Sequence, residues 1–394
     1  MQFFRTFILI LISLVVSAQA KWIPMPWPDL DATLPVWKPE GWDASKAYPA
    51  IVFYPGTDGV PTAEWIQKMT GGKDFVLVGM TYRHRGPFNY NEQEIADELG
   101  ILNALKKTLT KSAAVDPKRI FVSGFSKGGW HTSLLLDRDR SLAGGLILGA
   151  GVFEMRADSP KFATPIPIYI GCGRSDGNYP PSLGALLYFR KLGAQVTQEA
   201  WPDTAHEFPD QPPEAMRQWL RAQGAPTGLE NEATTWINAR LAVIEAIADP
   251  VEQWFALDDF MTLPFVKKFG AQTAVTAQGK IDLLLKDPKV ATEQKWRQES
   301  RRILAMECRD RLLTTLQEAS RGYETLAANA KGTRAGTEAL RDLERTKRLL
   351  TSAKIVTNPG PTETITPTIT PEPATSNPDR GAFFPPGTKM KPAR

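Results

Sequence analysis

The chain is short of the residues that build metal clusters and cross-linked scaffolds. It has only two cysteines in 394 residues, Cys172 and Cys308, too widely separated for a ligand cluster and too few for a disulfide framework. Two thiols are expected, with one long-range bridge as the alternative, and neither a metal site nor a cofactor is called for. Histidine is equally scarce, with His84, His131 and His206 as the full set, so the choice of an imidazole base is narrow. Net charge is small: 47 Lys and Arg against 43 Asp and Glu leave +4, and nothing global favours nucleic acid or an anionic membrane as partner. Long apolar runs are missing as well. The run from Phe7 to Val16 falls well below the roughly 20 residues a bilayer span needs, so no stable membrane span is expected. With 42% hydrophobic and 23% charged residues, the composition is that of a globular protein with a large core.

What is present divides into four parts. Residues 1–20 read as a signal peptide: Arg5, the apolar run, then Ala18-Gln19-Ala20 as a cleavage site. This predicts a secreted or periplasmic protein, against an uncleaved anchor. Residues 21–224 alternate short Ile/Val/Phe/Tyr runs with amphipathic stretches, the pattern of an α/β domain. The runs Ala50–Tyr54, Phe75–Gly79, Arg119–Ser123, Gly145–Leu148, Pro167–Gly171 and Gln195–Ala200 predict a mostly parallel sheet with helices on both faces. Residues 225–355 turn to helix formers, with Leu304, Cys308, Leu312, Leu316, Ala319, Tyr323 and Leu326 at helical spacing. The Pro/Thr-rich residues 356–394 predict a disordered tail. No repeat of fixed period is present.

Ligands of parallel sheets bind beyond the carboxyl ends of the strands, and there Gly124-Phe125-Ser126-Lys127-Gly128-Gly129 stands between a strand and a helical run. G-x-S-x-G in that setting is a nucleophile elbow, in which glycines two positions either side make room for a sharp reversal. Ser126 is the candidate nucleophile, at a helix N-terminus that favours developing negative charge. Gly173-Arg174-Ser175-Asp176-Gly177 fits the same pattern. Ser175, however, is followed by Asn178-Tyr179-Pro180-Pro181 rather than at once by a helix, so it reads as a loop serine.

A nucleophilic serine needs a base. His131 leaves the elbow on the following helix and is expected to point away, and His84 lies between Arg83 and Arg85, reading as an exposed loop residue or one wall of the substrate site. His206 follows the last strand, after Ser126 and Asp176, in the order Ser, Asp, His. Asp176 would orient the imidazole and stabilise the imidazolium. Asp203 and Glu207 compete for that role, and a turn or cap role for Asp176 is the plain alternative. The backbone amides of Lys127 and of Thr57, in Tyr54-Pro55-Gly56-Thr57-Asp58-Gly59, are the candidate oxyanion hole; an ordinary Gly-rich turn is the alternative for the latter.

Together with Gly173 and Pro180 around Asp176, and Trp201 five residues before His206, these motifs resemble the phospholipase/carboxylesterase/acyl-thioesterase branch of the α/β hydrolases. The approach Pro39 to Gly56 is similar to secreted esterases of the polyhydroxybutyrate-depolymerase and feruloyl-esterase type. The resemblance covers about residues 36–222 and implies the α/β-hydrolase fold and a serine hydrolase acting on esters, with Ser126 as nucleophile, His206 as base and Asp176 as orienter. Those families commonly have His-Gly where this chain has Pro55-Gly56, which bears on the oxyanion hole more than on the triad.

Gly149 to Ile166 leaves too little chain for a separate cap domain, so an open site is expected. Trp130 and Trp201 would either wall the substrate site or pack in the core, and Arg83 and Arg85 would either bind an anionic group or be solvated. The helical region carries no chemistry of its own. It would pack on its neighbours, self-associate or engage another protein. Three functions remain open: an exported serine carboxylesterase acting on small-molecule or polymer-linked esters, a serine peptidase on the same triad, and a non-catalytic hydrolase-like scaffold acting through its helices.

Overall fold

The computed structural model describes residues 21–356 apart from 58, 85–89, 203, 225–229 and 309–312. The expected signal peptide, the tail beyond Val356, Arg85 and Asp203 lie outside the described residues.

The chain opens with a hairpin, β1 (Lys21–Trp27) and β2 (Ala32–Lys38), whose strands pair antiparallel from Lys21↔Lys38 to Trp27↔Ala32. It continues through β3 (Tyr48–Tyr54), α1 (Glu64–Thr70), β4 (Val76–Gly79), α2 (Glu92–Ser112), β5 (Val115–Phe125) and α3 (Lys127–Arg138). There follow β6 (Gly144–Leu148), β7 (Pro167–Gly173), α4 (Tyr179–Lys191), β8 (Gln195–Trp201) and α5 (Glu214–Gly224). One eight-stranded sheet results, ordered β1-β2-β4-β3-β5-β6-β7-β8. β2 meets β4 antiparallel, and β4, β3, β5, β6, β7 and β8 are parallel. This is the α/β-hydrolase fold.

Successive residues of the central strands enter opposite cores, as the period of two requires. Val52, Tyr54, Val122, Ile147 and Ile170 face a core shared with α2, α3 and α4. Ile51, Phe53, Phe121, Leu146 and Tyr169 face a second core with α1 and α5. Both faces are covered, which is why these strands read as unbroken apolar runs. The hairpin gave no such signal. Pro24, Pro26 and Pro35 interrupt it, and proline is tolerated there because β1 is an edge strand and β2 pairs with β4 only at Val36 and Trp37.

From Glu230 to Val356 every described element is helical: α6 (Glu230–Glu245), α7 (Pro250–Met261), α8 (Pro264–Phe269), α9 (Ala271–Leu284), α10 (Pro288–Glu307), α11 (Leu313–Asn329) and α12 (Arg334–Val356). The expected single stripe from Leu304 to Leu326 does not lie on one helix. α10 ends at Glu307, with Cys308 as its cap; Leu312 lies outside the described residues, and Leu316, Ala319, Tyr323 and Leu326 belong to α11, whose buried face includes Thr315, Ala319, Tyr323 and Leu326. Nor do these helices form one separate bundle. Residues of α6 to α9, among them Ile237, Leu241, Phe255, Val266 and Ala277, share the second sheet core with α1 and α5. α10, α11 and α12 add their own small core around Ile303, Tyr323, Ala339 and Leu343.

Candidate active site

The reversal between β5 and α3 is built from close backbone contact. Ser126 has φ 55° and ψ −120°, a left-handed backbone that a non-glycine residue holds only under constraint. Its amide donates to the Leu148 carbonyl at 3.0 Å, and its carbonyl accepts from the Trp130 amide at 3.1 Å, which starts α3. A Cβ on Gly124 would stand 2.3 Å from the carbonyl carbon and oxygen of Gly128, and one on Gly128 2.1 Å from the Tyr54 oxygen. The glycines are therefore required by packing between β5, α3 and the exit of β3. Ser126 is held at the helix N-terminus, beside first-turn amides that have no carbonyl four residues back within the helix.

Ser175, in the second G-x-S-x-G match, has no positive φ. Its amide donates to the Thr204 carbonyl at 3.1 Å, and it lies in the loop between β7 and α4. That helix starts at Tyr179, with Pro180 in its first turn, so the prolines that suggested a delay serve as a helix start.

His206 lies beyond β8 and joins two side chains from distant parts of the sequence. Its Nε2 is 2.8 Å from Ser126 Oγ and its Nδ1 is 2.7 Å from Asp176 Oδ2. Ser126 and Asp176 are buried, whereas the His206 side chain retains 37% exposure. The two loops are joined where β7 and β8 end: the Arg174 amide donates to the Trp201 carbonyl at 2.8 Å, and a Cβ on Gly173 would meet the Ala205 oxygen at 2.2 Å. Burial of the imidazole disfavours its charge. The hydrogen bond and negative charge of Asp176 outweigh this and hold the His206 pKa above the usual histidine value.

Asp176 makes both a turn contact and a contact to the imidazole. Oδ1 accepts the Asn178 amide at 2.8 Å, an Asx turn, and Oδ2 accepts His206. Cys172 adds a third donor, its Sγ 3.5 Å from Oδ2; burial, with the nearby carboxylate, pushes the thiol pKa well up and keeps it protonated. Asn178 also ties the turn to β6 through Nδ2 and the Gly149 carbonyl, at 2.8 Å. Neither Cys172 nor Asn178 was singled out from sequence, although the Asp-Gly-Asn order is a turn signal. The imidazole stacks on Phe125, with centroids 5.1 Å apart, and Phe208 packs between Phe125 and Trp65 at 4.2 and 3.9 Å. Phe125 and Phe208, each adjacent or close to a candidate residue, are recognisable only once the ring geometry is known.

The other candidates separate. Lys127 is the first residue of α3, and its buried ammonium lies over the Tyr82 ring at 4.5 Å. Thr57 sits on an exposed turn closed by Gly59 N–H to Gly56 O at 3.2 Å. That turn is pinned by Tyr82, whose hydroxyl donates to the Pro55 carbonyl at 2.5 Å, and by Thr81 to Gly59 at 2.6 Å. Of the two alternatives for Trp130 and Trp201, substrate wall or core, both take the core: with 4% and 2% exposure they belong to the two opposite sheet cores. Arg83 is exposed, and its amide and that of His84 donate to Glu98. His84 lies 3.5 Å from Glu94 and 3.3 Å from Asp97. His131 is fully buried 4.5 Å from the Tyr54 ring, and burial lowers its pKa to about 3, so it is neutral beside Glu98. Gly149 to Ile166 forms no helix or strand. No group of His, Cys, Asp and Glu among the described residues could hold a metal, and no described helix is long and apolar enough to cross a membrane.

Fold and geometry thus define an α/β-hydrolase domain with a hydrogen-bonded chain Ser126–His206–Asp176 at the carboxyl ends of its strands. No family model matches the chain, and no curated protein matches it. Among solved structures it is similar to a carboxylesterase of Bacillus cereus, at 17% identity over 48% of this chain and 93% of that one, with a TM-score of 0.41. A Mesorhizobium loti carboxylesterase is 18% identical over 51% and 98%, with a TM-score of 0.41. An acylaminoacyl peptidase of Pyrococcus horikoshii is 16% identical over 54% of this chain and 43% of its own, with a TM-score of 0.39.

Proposed function

We propose that the chain is an exported serine hydrolase that cleaves carboxylic esters through an acyl-enzyme. The observation that carries this reading is the single imidazole within hydrogen-bond distance of both a strained, helix-capping serine and a buried carboxylate. Ser126 Oγ attacks the ester carbonyl as His206 Nε2 takes its proton. The Asp176 carboxylate, anchored at Oδ1 by the Asn178 amide and at Oδ2 by the Cys172 thiol, keeps the Nδ1–H tautomer and balances the imidazolium. The Lys127 amide, and the Thr57 amide from the turn that follows Pro55, stabilise the oxyanion. His206 returns its proton to the leaving alkoxide, then activates water to release the acid.

Exposure of His206 and the lack of an inserted helix between β6 and β7 support an open site, suited to small or polymer-linked esters. Export rests on the leader-like residues 1–20. The test is hydrolysis of short-chain aryl esters together with labelling by a serine-directed phosphonate and peptide mapping. Label on Ser126, and loss of both signals in Ser126→Ala, are expected. A folded protein with neither turnover nor label overturns the reading.

A further inference from the structure

The loop that carries Asp176 is gripped from two sides. On one side the amides of Arg174 and Ser175 donate to the carbonyls of Trp201 and Thr204, the strand end and loop that lead to His206. On the other side the carbonyls of the same two residues accept from α12. Arg345 Nη1 reaches the Arg174 oxygen at 3.2 Å, and Arg348 Nη2 reaches the Ser175 oxygen at 2.9 Å. A Cβ at Gly177 would stand 3.0 Å from Leu349 Cδ2, so α12 follows the loop past Asp176.

The contact is reciprocal. The Arg174 guanidinium crosses to α12 and holds Asp342 through Nη2 at 2.9 Å and Nε at 3.3 Å, with Glu338 3.7 Å away. Asp342 also pairs with Arg345, one helical turn along. Arg345 closes the network on Glu307 of α10 at 2.7 Å, and Glu307 accepts from the Tyr323 hydroxyl of α11 at 2.9 Å. Arg345 is 1% exposed, Asp342 0% and Glu307 6%. The guanidinia of Arg174 and Arg345 balance the carboxylates of Asp342 and Glu307. A buried balanced network of this kind fixes geometry, because loosening any member strands a charge.

We propose that α12 is a positioning element for the catalytic carboxylate, with Arg345 and Arg348 as positioning residues that set Asp176 against His206. The inference rests on the hydrolase reading for its kinetic consequence and extends it. The helical region, which brings no reacting group, completes the active site from outside the sheet. Arg348 makes the more telling variant: it is exposed, so its removal leaves no buried charge, yet it holds the peptide immediately before Asp176.

The experiment compares full-length wild type with Arg348→Ala, Arg345→Lys and Arg345→Met, by aryl-ester kinetics, thermal melting and NMR titration of the His206 ring. Arg348→Ala is expected to melt like wild type, to lose about tenfold in kcat at unchanged KM, and to shift the His206 midpoint down toward about 6.5 as the Asp176 bond loosens. Arg345→Met should go further in both readouts, and Arg345→Lys should recover part of the loss. Variants that keep the wild-type kcat and His206 midpoint, whatever their melting temperature, overturn the proposal, since α12 would then only hold the fold together. If wild type itself neither turns over ester nor takes the phosphonate, the hydrolase reading fails. The His206 titration needs no substrate and still decides the positioning role.

Discussion

The α-carbon of Gly128 lies so close to the exit of β3 that a Cβ there would stand 2.1 Å from the Tyr54 carbonyl oxygen and 2.5 Å from that of Pro55. One glycine thereby fixes the distance between the turn bearing Thr57 and the helix that starts beside Ser126. Gly128→Ala must push these apart. Urea denaturation should show a loss of about 1–3 kcal/mol or more, the usual cost of overpacking, with ester turnover lost beyond what stability explains. Gly100, within α2, is the control: a Cβ there meets nothing within 4 Å, and Gly100→Ala should stabilise by about 0.5–1 kcal/mol.

Removing the serine or the imidazole of the hydrogen-bonded chain should abolish turnover while leaving the fold. Ser126→Ala and His206→Ala are expected to lower kcat by about 10⁴ or more. Asp176→Asn tests orientation separately: its side-chain oxygen can still accept the Asn178 amide, but it can no longer offer His206 a second, charged acceptor. A comparable fall in kcat with an unchanged circular-dichroism spectrum is the expected result. Near-normal rates in Asp176→Asn would transfer the orienting role elsewhere.

The pH dependence has opposite signs for rate and for stability. His206 must be neutral to take the Ser126 proton, so kcat/KM should rise with pH through a midpoint above the ordinary histidine value of about 6.5. A raised folded-state pKa means that folding favours the protonated ring. The resulting stability is therefore fully present below about 6.5 and is lost as pH climbs through the folded midpoint. Chemical denaturation across that window should show stability declining where activity increases, and His206→Gln should remove that part of the slope.

Trp130 supplies a test of site against core. Its position just after the elbow invites a substrate role, yet its ring lies within the core beneath α3. Trp130→Ala should destabilise by about 3–5 kcal/mol. Trp130→Phe should keep the KM ratio between short and long acyl esters, the quantity a pocket wall would alter.

How far the sequence could be read follows from which forces are local. β3 to β7 were visible because strands covered on both faces are largely apolar, and the elbow because a forbidden Cβ leaves a glycine in the sequence. His206 emerged by elimination among three histidines. The β1–β2 hairpin escaped because its prolines contradict strand propensity, and only the edge position of β1 and the short pairing of β2 with β4 explain their tolerance. Trp130 and Trp201 show the converse difficulty: closeness in sequence to Ser126 or His206 says nothing about which face of its helix or strand a ring occupies. The grip of α12 on residues 174–177 was beyond reach, since Arg174 and Asp342 are separated by 168 positions and nothing local in either segment records the other.

The sharing of one core between the sheet and α6 to α9 also decides what a broken chain becomes. Cut after Gly224, the protein would retain every strand and all three residues of the Ser–His–Asp chain. It would also bare the Trp219 and Leu220 face of α5, together with the neighbouring apolar residues that Ile237, Phe255 and Val266 otherwise cover. A surface of that kind seeks another copy of itself. A protease nick or premature stop in this region should therefore yield insoluble aggregate rather than a smaller folded protein.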